Sequence, residues 1–578
     1  MAIFTPSESP AIVVKEVDLS GVVPNVQTST GAIVGDFNWG PVEEATLVSN
    51  ESSLVSTFGS PDSDNTVDFH SAAYFLRYSN SLQVVRAVSS AAKNAYDTNA
   101  GSVPTVKNRD NWDTQLSTLA TNDHTFIAKY PGDLGNSLQV KLLQADSADA
   151  TTKFDADTTF VANFDGAPGT STYATGVGAT SDEIHVMVVD QDGLISGTQG
   201  EVLETFPYLS MAKNAKNADG STNFVRDVIN NASQYVWMAG KGDQGVFSDG
   251  VAFVDAVSGK EFGSNRGVKS ISLIGGVNSA ALGTSEYATG HDKFEDVDTI
   301  EVDMLIAPGM SSRSDQTTVV NDLVATAQST RKDCVVVASP ARDDIVDQTT
   351  QNANAIACAK TFTNSSYLFC DNNYLKVYDK YNDQYIQIPA ASSTAGLMAA
   401  TDAVAAPWFS PAGPRRGQYL GITALNYTPT KAERDSLYKA GVNPIANIPG
   451  QGVLLFGDKT KLARPSAFDR INVRRLFLGI ERAIAIAARN VMFEFNDEFT
   501  RAEFTNIVEP FLREIQGRRG ITDFRVICDD TNNTAAVIDR NEFIANIFIK
   551  PARSINFVTL NFVAVRTGVD FEEVVGTV

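Results

Sequence analysis

The sequence contains few of the residues that build metal centres or disulfide frameworks. Its 578 residues include four cysteines and four histidines. These are Cys334, Cys358, Cys370, Cys528, His70, His124, His185 and His291. No two cysteines have the CxxC spacing of a zinc knuckle, and the histidines are too scattered for an HExxH motif or a ligand cluster. We therefore expect no metal, no cofactor and no disulfide framework, as in a protein of a reducing compartment.

Long hydrophobic runs are also missing. No stretch approaches the roughly 18 consecutive apolar residues that a transmembrane helix needs. The first residues, MAIFTPSESP, have neither the basic nor the apolar region of a signal peptide. From the sequence we expect no membrane insertion and no secretory leader.

Basic residues are scarce relative to acidic ones. The 46 Lys and Arg residues face 68 Asp and Glu residues, and the net charge is -22. Phosphate backbones and anionic lipids repel such a chain, so we expect no direct nucleic-acid binding. The acidic excess lies in residues 1–404, with a net charge of -25, whereas residues 405–578 carry +3. This division suggests a solvated portion and a contact-making portion, although two domains of different composition would give the same pattern.

Three short motifs carry possible chemistry, and each has a structural interpretation. The glycine-rich residues 240–245 follow a strand-like segment, but no helix opens after them where a phosphate would bind, so we predict a loop. Residues 210–213 match SxxK without its companion motifs, and we interpret them as a solvated helix face. Asp529 and Asp530 lack the interleaved ligands of a cation loop and predict a turn. None of these motifs supports catalytic residues, and a nucleotide-using α/β enzyme is the distant alternative.

The pattern along the chain predicts an α+β or α/β multidomain protein. Strand-like and helix-like segments alternate in residues 21–95 and again in 234–404, which we assign to one discontinuous middle domain. Residues 96–233 are polar with short alternating runs and predict an inserted β-rich domain of barrel or sandwich type at the surface. Residues 1–20 predict an extended N-terminal arm, 405–554 a C-terminal α/β domain, and 555–578 a C-terminal strand and arm.

The C-terminal third has the clearest helical pattern. Residues 468–491 place apolar side chains on one stripe, which predicts an amphipathic helix. A second helix is predicted to open with a capping box between Thr500 and Glu503, to kink at Pro510 and to end near Gly517. Strand-like segments follow at ITDFRVICDD, EFIANIFIK and SINFVTLNFVAV.

Several of these segments, in this order, resemble one known protein family. They are TGAIVGDFNWGPVEEATLVSNESSLVSTFGSP, KYPGDLGNSLQV, SPAGPRRGQYLGITALNY, DSLYKAGVNPIANIPGQGVLLFGDKT and the long block from Arg464 to Ile521. Together they resemble the tail sheath proteins of contractile-tailed bacteriophages, of the T-even type. Residues of roughly 140–300 match least clearly, and Pro510 departs from the family's smoother helix.

The resemblance implies a structural subunit of a virion and not an enzyme. Sheath subunits stack as hexameric rings wound helically around a tube of a different protein, and they contract to drive the tube through the host envelope. The implied fold is a core of mixed sheets and helices, with the C-terminal domain facing the tube and inserted domains outside. The implied partners are other copies of the chain, the tail tube protein, and baseplate and tail terminator proteins. Assembly is expected in the host cytoplasm.

The resemblance also implies that extended arms add strands to the sheets of neighbouring subunits. The residues expected to form these strands are Ile12, Val13, Val14, Val558, Leu560, Phe562 and Val563. Arg513, Arg518 and Arg519, near the end of the second helix, are candidates for facing an acidic tube, although cations also favour a helix C-terminus locally. A phage-tail-like bacteriocin or another contractile injection system is the nearest alternative, and an adhesin built on the β-rich insert is a third.

Overall fold

A computed structural model describes residues 29–97, 105–121, 125–145, 150–240, 253–263 and 268–556. The predicted N-terminal arm and residues 557–578 of the C-terminal arm, with the seven residues expected to form their strands, lie outside the described residues. Within the described part, the chain divides into two compact units. The large unit comprises residues 29–407 and 411–482, and the C-terminal unit comprises 408–410 and 483–556.

The large unit mixes strands and helices throughout. Its strands are β1 (Gly31–Gly35), β2 (Ala45–Val48), β3 (Leu82–Arg86), β4 (Phe126–Ala128), β5 (Leu138–Gln144), β6 (Glu183–Asp190), β7 (Glu201–Ser210), β8 (Val236–Met238), β9 (Lys269–Ser272), β10 (Met304–Ile306), β11 (Val335–Ala338), β12 (Leu368–Cys370), β13 (Tyr374–Asp379), β14 (Gln384–Pro389), β15 (Ala424–Leu425), β16 (Ile445–Ile448) and β17 (Gly452–Leu455). Its helices are α1 (Glu51–Phe58), α2 (Thr66–Phe75), α3 (Arg109–Thr121), α4 (Ala150–Ala156), α5 (Thr158–Asn163), α6 (Thr172–Val177), α7 (Val225–Ala232), α8 (Thr284–Asp292), α9 (Arg313–Ala325), α10 (Arg342–Ile345), α11 (Gln351–Thr361), α12 (Ala391–Val404) and α13 (Lys431–Lys439). The helix α14 (Ile471–Ala488) begins in this unit and continues past Arg482 into the other.

A six-stranded sheet in the order β12-β11-β10-β1-β3-β2 organises the large unit. All its pairs are parallel except β2 with β3. Successive residues of a strand point to opposite faces, so Ile33 enters the core shared with α2 and α12, while Ala32 and Val34 enter the core shared with α8 and α9. Burial on both faces explains why these strands are continuous apolar runs in the sequence.

The predicted insert contains a second, antiparallel sheet in the order β7-β6-β5-β9. The strands β5 and β6 were expected from their alternating patterns. The insert also contains the two-stranded sheet β4–β8 and five helices, α3 to α7, and its predicted barrel or sandwich arrangement stays a prediction. The last strand, β9, lies beyond the predicted boundary at residue 233 and pairs with β5 from Gln139↔Ser272 to Leu142↔Lys269. The predicted division into domains stays a prediction.

The C-terminal unit is built from α15 (Glu498–Gly517), β18 (Ile521–Ile527), α16 (Ala535–Ile538) and β19 (Asn546–Pro551). The strands β18 and β19 form an antiparallel pair, at two of the three positions where the sequence predicted strands. The predicted start of α15 is wrong: the N-cap is Asp497, whose side chain accepts a hydrogen bond from the Thr500 backbone N–H at 2.8 Å. The helix continues through Pro510 and ends at Gly517, which confirms its predicted end, and the left-handed residue beyond it is Arg519.

Candidate assembly surface

In the described structure the four cysteines are free thiols, and His70, His185 and His291 are buried. Burial lowers the pKa of His291 to about 3 and raises the pKa of the Cys358 thiol to about 12. At neutral pH the first is therefore uncharged and the second is not a thiolate nucleophile. Across the described ranges, no group of three or more His, Cys, Asp or Glu side chains could hold a metal ion. In the same ranges, no helix combines the length and apolarity needed to cross a bilayer.

The three short motifs have the following outcomes. The glycine-rich residues 241–245 lie outside the described residues. The SxxK interpretation as a helix face is wrong, because Ser210 is the buried last residue of β7 and donates its hydroxyl hydrogen bond to Asp182. The predicted turn at Asp529 is confirmed: its carboxylate accepts from the backbone N–H of Thr531 at 2.9 Å, while Asp530 pairs with Arg501 at 2.8 Å.

The helix α15 is held by one apolar stripe. Phe504, Val508, Leu512 and Ile515 are buried, at the spacing that the sequence predicted for one helix face. The aromatic ring of Phe504 packs edge-on against Phe543, with centroids 5.4 Å apart. The buried stripe fixes which side of the helix faces the unit's own core and which side faces outward.

The three arginines predicted to face a tube are all exposed on or just after α15. Arg513 lies 3.8 Å from Glu509, and Arg518 lies 3.6 Å from Glu514, both as exposed pairs one helical turn apart. The guanidinium of Arg518 also stacks over Trp408, whose indole N–H donates to the Arg518 carbonyl at 3.1 Å. Five residues of an α-helix turn about 140° beyond a full circle, so Arg513 and Arg518 do not share one face.

The β18–β19 hairpin has one half-buried and one exposed face. Phe524, Val526, Ile547 and Ile549 are half-buried on one face, whereas Asp523, Arg525, Phe548 and Lys550 are exposed on the other. We call the exposed set the outer hairpin face. Among the described residues, no further strand pairs with either edge of this two-stranded sheet. Such edges present free N–H and C=O groups, and a hairpin alone is marginally stable, so the arrangement can accept added strands.

Residues 492–499 form a second exposed feature, which the sequence analysis missed. We call this segment, from Met492 to Phe499, the aromatic loop. It runs from the end of the α14 region into the first turn of α15 and leaves four large apolar side chains exposed: Met492, Phe493, Phe495 and Phe499. Large apolar side chains that cluster on a surface mark an interaction site more often than single ones do.

Comparisons with known proteins match nearly the whole chain. The profile of the phage tail sheath protein central domain matches residues 280–461, and that of the phage tail sheath C-terminal domain matches residues 463–564. Among solved structures, a sheath tail protein from Listeria innocua is similar in fold, with a TM-score of 0.53 and 14% identity over 93% of this chain and 94% of that one. The mixed α/β multidomain fold predicted from the sequence is confirmed.

Two relatives carry the family assignment. The tail sheath protein of Vibrio phage KVP40 is 32% identical over 98% of this chain and 99% of its own length. The tail sheath protein of Enterobacteria phage T4 is also 32% identical, over the same shares of both chains. Identity at this level along almost the full length extends through the segments on which the sequence resemblance was based. The chain therefore belongs to the family of phage tail sheath proteins.

Proposed function

We propose that this subunit of a contractile tail sheath polymerises as hexameric rings, stacked helically around a tail tube, and contracts to drive the tube through a host envelope. The single observation that carries this proposal is the near full-length similarity to phage tail sheath proteins. The same relatives favour a phage over a bacteriocin as its setting. Its role is structural, and we propose that it acts without catalysis.

The proposed link between subunits is strand exchange at the β18–β19 hairpin. The arms, residues 1–20 and 555–578, contain strand-forming apolar residues such as Val13, Val14, Leu560 and Phe562. An arm from a neighbouring copy would pair with a free hairpin edge. About six new backbone hydrogen bonds, at roughly 0.5–1.5 kcal/mol each, would contribute about 3–9 kcal/mol. A head-to-tail contact that does not close on itself generates a helical polymer.

The charge distribution supports a layered arrangement. Residues 1–404 carry the entire acidic excess, which suits an outer layer exposed to water, with the predicted insert at residues 96–233 outermost. Residues 405–554 carry near-balanced charge, which suits an inner layer that contacts the tail tube. Further partners are the baseplate and tail terminator proteins at the two ends of the sheath, and assembly takes place in the host cytoplasm before the sheath joins the virion.

Truncation of either arm tests the strand-exchange proposal. We expect that removal of residues 1–18 or 560–578 leaves a folded, soluble protein that forms no cylinders in electron microscopy, while the full chain does. A sharper variant replaces Leu560, Phe562 and Val563 with serine. Its matched control replaces the acidic Asp570, Glu572 and Glu573 with their amides in the same arm. Normal cylinders from the truncated chains or the serine variant would refute strand exchange.

Charge reversal tests the tube-facing arginines. Replacing Arg513, Arg518 and Arg519 with glutamate is expected to weaken assembly templated on the tube and to change its salt dependence, because attraction to an acidic tube becomes repulsion. Because cations near a helix C-terminus also stabilise the helix, the stability of the monomer is measured in parallel. The control is Arg540→Glu, another exposed arginine of the same unit. Unchanged templated assembly in the triple variant would eliminate this contact.

A further inference from the structure

Four large apolar side chains of the aromatic loop are mostly or fully exposed to solvent. The relative exposures are 101% for Phe493, 84% for Phe495, 74% for Phe499 and 59% for Met492. Leaving such side chains in water forgoes the favourable free energy of burying their apolar surface. Four of them are exposed within eight residues, and an interface that covers them would recover this free energy.

Polar residues, not apolar ones, anchor the loop. Asn496 donates to Asn533 Oδ1 at 3.1 Å and to the Glu542 carbonyl at 2.8 Å, and it accepts from Arg501 at 3.3 Å. At the tip, Phe493 adopts a φ of 69°, the left-handed region that bulky residues rarely occupy. The usual pattern of burial is therefore inverted: amide groups are held against the unit and aromatic rings face outward. Such a preordered aromatic set loses little conformational entropy on binding.

The partner must be apolar with a basic rim. The exposed Glu494 and Glu498 lie among the aromatic residues of the loop, so the loop is acidic as well as apolar. On the outer hairpin face, Phe548 is 56% exposed and stands directly opposite Arg525 across the two strands. The neighbouring Lys550 is paired with Asp523 of the same face at 3.0 Å. The exposed ring of Phe548 beside Arg525 therefore complements the polarity and charge of the loop.

The loop and the hairpin face cannot cover each other within one copy. Phe493 is fully exposed and Phe548 is more than half exposed in the same chain, so both remain available to another molecule. The loop adjoins the N-terminal end of α15, and the arginines proposed to face the tube lie at its other end. A helix of 20 residues is about 30 Å long. The loop is therefore placed for a contact different from that of the arginines.

We propose that the aromatic loop of one copy docks on the outer hairpin face of a second copy. The inference rests on the proposed self-assembly and adds a specific contact to it, separate from strand exchange. Because the two surfaces are different, the contact is heterologous and propagates along a polymer. It would also place a neighbouring copy beside the hairpin edges that the arms are proposed to join.

Serine substitution tests the contact in the full chain. The variant Phe493→Ser with Phe495→Ser is expected to raise the protein concentration needed for cylinder formation at least tenfold, because central aromatic residues dominate interfaces. Phe456→Ser, at a 48% exposed phenylalanine of the large unit, is the matched control. Normal assembly of the double variant would overturn the proposal.

Exchanging the charges of the loop and of the hairpin face tests whether a second copy of the chain binds there. Glu494→Lys and Arg525→Glu are each expected to weaken assembly, and their combination in one chain is expected to restore it. Absence of rescue would overturn the assigned hairpin face. If loop variants self-assemble normally but no longer bind purified tube protein, the occupant is the tube and the proposal is wrong. If the unsubstituted chain forms no polymer under any condition, the proposed function itself fails, so the two failures are distinguishable.

Discussion

The strongest prediction about stability concerns Arg482, which connects α14 to the central sheet of the large unit. Its guanidinium donates to Asp303 Oδ1 at 2.6 Å and to the carbonyls of Val302 and Asp333, each at 3.1 Å. Asp303 is 8% exposed. Substitution with methionine keeps the aliphatic stem and leaves a buried carboxylate and two carbonyls without this donor. Removing one partner of a buried pair costs about 3–5 kcal/mol, so we expect the large unit to lose that amount.

The loss should depend on pH. Burial raises the pKa of Asp303 to about 6, although Arg482 acts to lower it. Without the arginine the pKa of this carboxyl rises further. A carboxyl whose pKa is higher in the folded than in the unfolded state favours folding at low pH, and this contribution is lost as pH rises through the folded pKa. The variant should therefore be closer to the unsubstituted protein at pH 5 than at pH 8.

Urea unfolding followed by tryptophan fluorescence provides the assay. Three of the four tryptophans, Trp39, Trp112 and Trp237, lie in the large unit. Adding Asp303→Asn to the methionine variant removes the unpaired charge and should recover much of the loss at pH 8. Arg513→Met, at an exposed arginine, should change stability by no more than about 0.5 kcal/mol. A loss below about 1 kcal/mol for Arg482→Met, or one independent of pH, would refute the reasoning.

Two further predictions concern a buried carboxyl and a helix cap. The carboxylate of Asp371 accepts hydrogen bonds from the hydroxyls of Ser339 and Thr394, and burial raises its pKa to about 7. Its contribution to the stability of the folded state therefore falls as the pH rises from about 4 to 7. Asp371→Asn should flatten the pH dependence of unfolding in that range, and an unchanged slope would contradict this assignment. Asp497→Ala removes the cap on the Thr500 N–H and should destabilise α15 by about 1 kcal/mol, seen as faster amide exchange in its first turn. Asp497→Asn, which keeps an acceptor, should show little change.

Long periodic segments were predictable from the sequence. The apolar run GAIVG forms β1, and the helical spacing of Phe69, Ala72 and Ala73 forms α2, because the strand is buried within the sheet and the helix packs one face against it. Val320, Leu323, Val324 and Ala327 recur at helical spacing in the sequence, and a helix covers them; its last turn, Thr326–Arg331, is a π-helix. These elements are long enough for their periodicity to outweigh local exceptions.

Short elements and the assembly surface were less predictable. Helices such as α4 and α5 have seven and six residues, too few for a period to be recognised in a polar sequence. Asp497 precedes the predicted cap by three residues, and both positions carry residues that favour N-caps, so only the structure distinguishes them. The aromatic loop was missed because apolar residues are expected to be buried, and a sequence does not show which of them the fold leaves outside.

The pairing of β9 with β5 has a consequence for protein engineering. Excising residues 96–233 alone would remove β5, the strand with which β9 (Lys269–Ser272) pairs. The buried side chain of Ile271 would then lose its neighbours. Because β9 is distant in sequence from the rest of this sheet, a domain exchange that transfers or replaces the inserted region must also include residues 269–272. The exposed turn between β6 and β7 is a better place to insert a foreign peptide. There the carboxylate of Asp190, at the end of β6, accepts hydrogen bonds from the backbone N–H groups of Gly193, Ile195 and Ser196 and orders the turn locally.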